Sequence, residues 1–354
     1  MKKQLLFLAI ILLPLVASAH DIAVQNADGV TIYYDYRNDG TELFVTFRGA
    51  NFTTYANEYT GNVVIPEEVV YKDKTYKVTS ISNFAFRECS KLTSITIPNS
   101  VTEILRGAFH GCTGLTSIPI PNSVTYIAGS AFRECSQLTS ITIPNGVKGI
   151  DDYTFSGCTG LTSVTIPNSV VGIGYSSFAG CSSLTSINIP NSMRHINESA
   201  FNDCTGLISI TIPNSVTWIG SSAFEGCTGL TTVTIPNSVT EIGGNAFDRV
   251  NLTTIISLIE NPFTFWGISS DHRVFSANTF NNATLYVPVG TIDKYKATKG
   301  WRDFNNIVEG VPSGIKDIHL DGDKNYTIYD INGRHLQNPQ KGINIINGKK
   351  IIVK

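Results

Sequence analysis

The 354-residue chain carries 26 basic and 28 acidic residues, a formal net charge of −2, and only 15% of its residues are charged. That balance excludes the clustered positive surface of a nucleic-acid-binding protein and the acidic runs of a solvating tail. Seven cysteines without a C-x-x-C pair, and six histidines scattered from His20 to His335, offer no metal-ligand spacing, and no P-loop, GxSxG, HExxH or dinucleotide fingerprint is present. Neither cofactor, metal nor catalysis is expected.

In chain order, Lys2 and Lys3 precede an apolar run from Leu5 to Val16, and Ala17-Ser18-Ala19 places small residues where a signal peptidase reads. Residues 1–19 are read as a secretory signal peptide cut after Ala19, its apolar run too short to span a bilayer. No later run is long enough to cross a membrane, so the mature chain is expected to be soluble, secreted or on the outer cell surface. Residues 20–77 read as a β-rich N-terminal cap. In it VTIYYDY and ELFVTF flank Arg37-Asn38-Asp39-Gly40, a hairpin signal. Val63 to Pro66 then anticipates the repeat as a degenerate first coil, with an insertion near Tyr71 to Lys74.

From residue 78 to 255 one unit recurs. Proline returns at Pro98, Pro121, Pro144, Pro167, Pro190, Pro213 and Pro236, and cysteine from Cys89 to Cys227, always 23 residues apart. A fixed period of this size marks a solenoid. Within the unit, Leu92, Ile95 and Ile97 suit a short strand that Pro98 ends. Val101 and Ile104 form a second extended piece, and Ala108, Phe109 and Cys112 suit one helical turn. A single coil buries too few side chains to offset the ordering of its backbone, so the coils must stack. Stacking creates ladders of Leu (Leu92 to Leu230), Phe (Phe86 to Phe247) and Ile (Ile81 to Ile242), the last two counting about eight coils. The cysteines fall at one register with parallel side-chain directions, which argues for buried free thiols over disulfides.

The pattern LxxIxIPxSVxxIxxxAFxxC resembles the BspA-like leucine-rich repeat family over Val78 to Thr254. The resemblance implies a leucine-rich repeat solenoid, mainly β with short helical or 3₁₀ turns, and a surface-exposed binding or adhesion protein without catalysis. Residues 256–310 read as a small α/β C-terminal cap. They hold a last strand and proline at Pro288 and a helix from Ile292 to about Lys299, with Trp301 and Phe304 packing on the final coil. Residues 311–354 read as a linker and a short β module with turns at Asn332-Gly333 and Asn347-Gly348. Tyr329 to Arg334 and Lys341 to Lys354 are similar to the later part of a type IX secretion sorting module, implying an export tag; a small β cap is the alternative. Asp321 to Asn325 begins like a calcium loop, but Tyr326 and Asn332 stand where that loop needs Gly and Glu, so it reads as a plain turn.

Candidate contact residues lie where coils differ. Five residues after each repeat proline the column runs Glu103, Tyr126, Gly149, Gly172, His195, Trp218, Glu241. Three further on it runs Arg106, Gly129, Asp152, Tyr175, Glu198, Ser221, Gly244. Glu103, Arg106, Tyr126, Asp152, Tyr153, Tyr175, His195, Trp218 and Glu241 are taken as binding candidates, with Tyr126, Tyr153, Tyr175 and Trp218 as exposed aromatics of the kind that anchors interfaces. The first strand instead presents a uniform Thr and Ser face that encodes little specificity. The expected partner is an extracellular protein or glycan, of a host matrix or another cell, and not nucleic acid. A structural spacer without specific ligand is the alternative, and an enzyme is disfavoured because no segment outside the repeats is large enough for a catalytic domain.

Overall fold

The computed structural model describes residues 20–49, 57–265, 273–310 and 312, and the backbone of four short strands between Ile328 and Val353. The expected signal peptide and the Asp321 to Asn325 turn lie outside the described residues.

Each coil is a circuit of two short strands and two turns. Strand Leu92–Thr96 buries Leu92 and Ile95 and exposes Thr93 and Thr96. Pro98 has no N–H to extend the ladder, and its carbonyl accepts from Val101 N at 3.1 Å, a bond repeated in the following coils up to Val239 and Pro236. Strand Glu103–Ile104 then points Ile104 inward. The helical turn expected next is a pair of single 3₁₀-type turns, with Ala108 N donating to Leu105 O at 3.2 Å and Cys112 N to Phe109 O at 3.1 Å. It does not propagate into a helix because left-handed residues interrupt it. Phe84, Gly107, Ser130, Tyr153, Ser176, Ser199, Ser222 and Asn245 form one such column, with φ of 50–60°. A second column alternates Gly111, Gly157, Gly180 and Gly226 with Glu88, Glu134, Asp203 and Arg249. The non-glycine members hold this conformation at a cost of about 1–2 kcal/mol each, which stacking must offset.

Stacking is strict. The eight rings from Phe86 to Phe247 are fully buried, with centroids 5.1–5.5 Å apart and planes within 16°. The column gains a ring at each end: Tyr59 sits 4.6 Å from Phe86, and Phe275 sits 5.4 Å from Phe247. All seven cysteines are free and buried. Six of them donate to the carbonyl of the phenylalanine one coil back, as Cys112 does to Phe86 O at 3.0 Å and Cys181 to Phe155 O at 3.2 Å. Burial pushes the Cys158 thiol up to about 12, which removes the thiolate that disulfide exchange needs.

At the N-terminal end the expected hairpin is present, strand Thr31–Arg37 pairing antiparallel with Glu42–Thr46. Glu42–Thr46 then pairs in parallel with Lys74–Ile81, which leads into Glu103–Ile104. Strand Gly61–Val64 pairs with Leu92–Thr96, setting Val63 opposite Ile95, so the degenerate coil is real. Its insertion is a second hairpin turning at Lys72 and Asp73. At the other end the parallel ladder runs on through Thr232–Ile235, Thr254–Ser257, Thr284–Val287 and Asn306–Glu309. Helices Ala277–Asn282 and Ile292–Ala297 stand in place of the second strand. Trp301 closes this end, buried between Phe265 at 4.6 Å and Tyr295 at 5.2 Å, its Nε1 donating to Phe263 O at 3.0 Å. Strands Ile328–Asp330, His335–Leu336, Gly342–Ile346 and Lys349–Val353 form a separate antiparallel sheet. Among the described residues no helix is long and apolar enough to cross a membrane.

The N-terminal cap holds a pH-sensitive carboxyl. Glu58 Oε2 accepts from Arg48 N at 2.8 Å, while its Oε1 is buried with no hydrogen-bond partner among the described residues. Burial raises Glu58 to about 7, against the opposing Arg48 N–H and charge. Because the folded value lies above the unfolded one, this group's stabilising contribution is complete below about 4.5 and is lost as pH rises through 7. Melting temperature is therefore expected to fall between pH 5 and pH 8, and Glu58→Gln to flatten the fall. At pH 8 the variant should exceed the parent by about 1–2 kcal/mol after allowance for solvent screening. A variant no more stable than the parent at pH 8 contradicts this account.

Candidate binding face

The two strand faces of the coil are unlike. On the first, hydroxyls are engaged within the array: Thr139 Oγ1 donates to Thr116 O at 3.2 Å and Thr162 Oγ1 to Thr139 O at 3.0 Å. Pro119 stands where the other coils have threonine or, once, Asn188, and a shallow trough of about 350 Å³ lies there, lined by Ile118, Ile120 and Ile141.

The second face carries the variable columns. Each two-residue strand turns its isoleucine inward, so its preceding residue points out, and the turn that follows lifts the next variable residue beside it. Four of the nine candidates, Arg106, Tyr126, Asp152 and Tyr153, line one groove of about 580 Å³. Tyr126, 45% exposed, donates its hydroxyl to Asp151 Oδ2 at 3.1 Å, which fixes the ring. Burial raises the Asp151 carboxyl, the Tyr126 hydrogen bond opposing it and the neighbouring Asp152 charge adding to it. Asp152 Oδ1 accepts from Tyr175 N at 2.7 Å. Tyr153, left-handed at φ 59°, is half-buried, its ring edge-on to Tyr175 at 5.2 Å and beneath the Arg133 guanidinium at 5.7 Å.

Tyr175, exposed, borders the groove through Asp152 and Tyr153 without lining it, and the other four candidates do not line it. Glu103 is held by Arg37 at 2.8 Å, tying the first coil to the N-terminal hairpin. His195, Trp218 and Glu241 lie side by side on adjacent parallel strands farther along the same face. His195 and Trp218 meet edge-on at 5.9 Å, which leaves Trp218 half-buried and not the exposed aromatic the sequence suggests. Sequence reasoning missed Lys148, Asp151 and Asn197, which complete the lining. A signal existed: in the column directly after the isoleucine ladder, Asp151 and Asn197 break a run of Leu105, Ala128, Gly174, Gly220 and Gly243, the other polar member being Ser82 in the first coil.

The floor is formed by two glycines in the column where other coils place Glu103, Tyr126, His195, Trp218 and Glu241. An added Cβ at Gly172 would meet nothing within 4 Å, and at Gly149 only Gly172 O at 3.9 Å. Neither has the positive φ that favours glycine. By contrast, a Cβ at Gly174 would strike Asp152 N at 2.6 Å, and one at Gly129 would press on Asp152 O at 2.9 Å. Glycine at 129 and 174 is thus demanded by close packing of the Asp151-Asp152 turn. At 149 and 172 it forgoes about 0.5–1 kcal/mol of stability relative to a residue with a side chain. Among the described residues no three His, Cys, Asp or Glu side chains converge as metal ligands.

A family model described as BspA type leucine rich repeat region matches residues 67–170 and 148–269, in six copies and over more than half of the chain. The chain belongs to this family. Among solved structures, the BspA-type array is similar to a leucine-rich repeat protein from Bacteroides ovatus ATCC 8483, at 25% identity and a TM-score of 0.52, over 78% of this chain and 86% of that one. It is also similar to one from Eubacterium ventriosum ATCC 27560, at 28% identity and a TM-score of 0.44, over 57% and 51%. A leucine rich cell surface protein from Faecalibacterium prausnitzii A2-165 matches at 22% identity and a TM-score of 0.38, over 83% and 96%. No curated protein matches the sequence. Membership of the BspA-type family points to a protein-binding or adhesion role, since leucine-rich repeat proteins are in general binding or structural proteins and not catalysts.

Proposed function

We propose that this BspA-type protein is an extracellular recognition protein that holds a partner on the second strand face, in the groove walled by Tyr126 and Asp152, without making or breaking bonds. The observation that carries the reading is convergence. Variable residues that the core leaves free to differ, Arg106, Tyr126, Asp152 and Tyr153, meet around a single groove while the neighbouring ladders stay uniform. A rigid rod presenting such a face binds by shape and hydrogen-bond complementarity.

Residues 1–19 direct the chain out of the cytoplasm, and the module from Tyr329 to Lys354, similar to a type IX sorting signal, carries it through the outer membrane. N-terminal sequencing of the exported chain is expected to begin at His20, and deletion of 329–354 to retain the chain in the cell.

The exported chain, screened against an array of matrix proteins and glycans, is expected to give a saturable hit that weakens at least tenfold on Tyr126→Ala and is unchanged on Thr162→Ala. A hit lost on Thr162→Ala and kept on Tyr126→Ala would move the site to the other face. Self-association with no hit would replace recognition by a spacer role.

A further inference from the structure

Position 149 and position 172 hold glycine for no reason that folding supplies. Neither has a positive φ, both face open space, and a side chain at either would project into the groove and fill it. The vacancy is therefore the feature, and it lies between Tyr126 on one side and Asn197 on the other.

Part of the main chain is already committed. Between residues 148–153 and 171–175 the backbone groups are paired from coil to coil: Ile150 N with Gly172 O at 3.0 Å, Gly174 N with Ile150 O at 2.7 Å, Val171 N with Lys148 O at 2.9 Å, and Tyr153 N with Tyr175 O at 2.8 Å. An extended peptide added as a strand would find no free ladder edge between these two coils. The side chains on offer are a fixed tyrosine ring and flat polar groups with capacity to spare. Asp152 Oδ1 accepts from Tyr175 N, and Asn197 Nδ2 donates to Ile173 O at 2.9 Å, which leaves the second carboxylate oxygen of Asp152 and the amide oxygen of Asn197 without a hydrogen bond among the described residues. Paired flat acceptors and donors suit adjacent hydroxyls, and an aromatic face suits the C–H face of a sugar ring. Charge is even, with Arg106 and Lys148 set against Asp151 and Asp152, so nothing favours a polyanion. The lining spans five successive coils, about 20 Å at roughly 4.8 Å per coil, which takes a short chain of rings and not a monosaccharide.

We propose that the groove is a binding site for a neutral oligosaccharide, laid across Gly149 and Gly172 along the rod axis. A ring packs on Tyr126, and hydroxyls are held by Asp152, Asn197 and Arg106. This rests on the recognition reading and names its ligand class.

The test uses the full exported chain and defined probes: neutral hexasaccharides of α- and β-linked glucose, mannose and galactose, a sulfated hexasaccharide, and a panel of matrix proteins. At least one neutral hexasaccharide is expected to bind in calorimetry. Gly172→Leu is expected to abolish that binding while leaving the melting temperature unchanged or raised, and Asp152→Ala to weaken it at least tenfold. Should Gly172→Leu unfold the chain, Gly149→Ser, which narrows the groove less, must still weaken binding.

Binding of the sulfated probe alone, or of no glycan, overturns the oligosaccharide. If a matrix protein then binds and is lost on Gly172→Leu, the recognition groove survives with a protein ligand. A neutral hexasaccharide whose affinity is untouched by both Gly172→Leu and Asp152→Ala overturns the groove as its site.

Discussion

Phe155→Ala is expected to cost about 3–5 kcal/mol in a urea titration. The ring is fully buried and sandwiched between Phe132 at 5.5 Å and Phe178 at 5.3 Å, so its removal opens a cavity that the flanking coils, held by their own ladders, collapse into only in part. Position in the array matters as much as volume. In a solenoid each unit is stabilised by its two neighbours, and a gap in mid-array weakens both interfaces at once. The transition should therefore broaden as the two halves begin to unfold separately, while Thr162→Ala on the outer strand should shift the midpoint by under about 0.5 kcal/mol. An unchanged midpoint for Phe155→Ala would contradict the inward placement of the whole column.

Trp301→Ala is expected to cost about as much, about 3–5 kcal/mol, by a different route. The indole lies across the end of the stack against Phe265, Tyr295 and Phe275, and its N–H is matched to Phe263 O. Its loss uncovers the last ring of the Phe column to water and orphans that carbonyl. Damage should start at that end: amide protection in Thr284–Val287 and Asn306–Glu309 should fall first, with Leu92–Thr96 near its original value. Uniform loss of protection along the rod would show that Trp301 is not an end cap.

Most of the array is legible in the sequence because burial dictates it. A column of identical apolar residues admits few other placements, which is why Leu92 to Leu230 and Phe86 to Phe247 could be assigned from spacing alone. The hairpin at Arg37 to Gly40 and the helix starting at Ile292 were equally plain, although the helix stops at Ala297, where Thr298 turns extended and Gly300 follows at φ 93°. The two extra rings escaped notice because their register slips: Tyr59 precedes Phe86 by 27 residues and Phe275 follows Phe247 by 28, so a search at 23 passes over both. The candidate site was half legible. Variation singled out Arg106, Tyr126, Asp152 and Tyr153, yet it equally singled out Glu103, which the Arg37 ion pair ties to the cap, and Trp218, which folds against His195. Gly149 and Gly172 were visible as members of a variable column, but an absent side chain acquires meaning only once its surroundings are known to be empty.

Because the side-chain ladders of the array join each residue to its equivalent 23 positions away, excision or duplication of a whole repeat brings like against like: without its own coil, Phe155 would leave Phe132 facing Phe178, a ring of the same kind in the same orientation. Unequal recombination within such a gene can lengthen or shorten the rod by single steps while both caps stay untouched. The groove does not share this freedom. Its floor is spelled out in two particular neighbouring repeats, those of Gly149 and Gly172, and excision of the pair would erase it without leaving any trace in the stability of what remains.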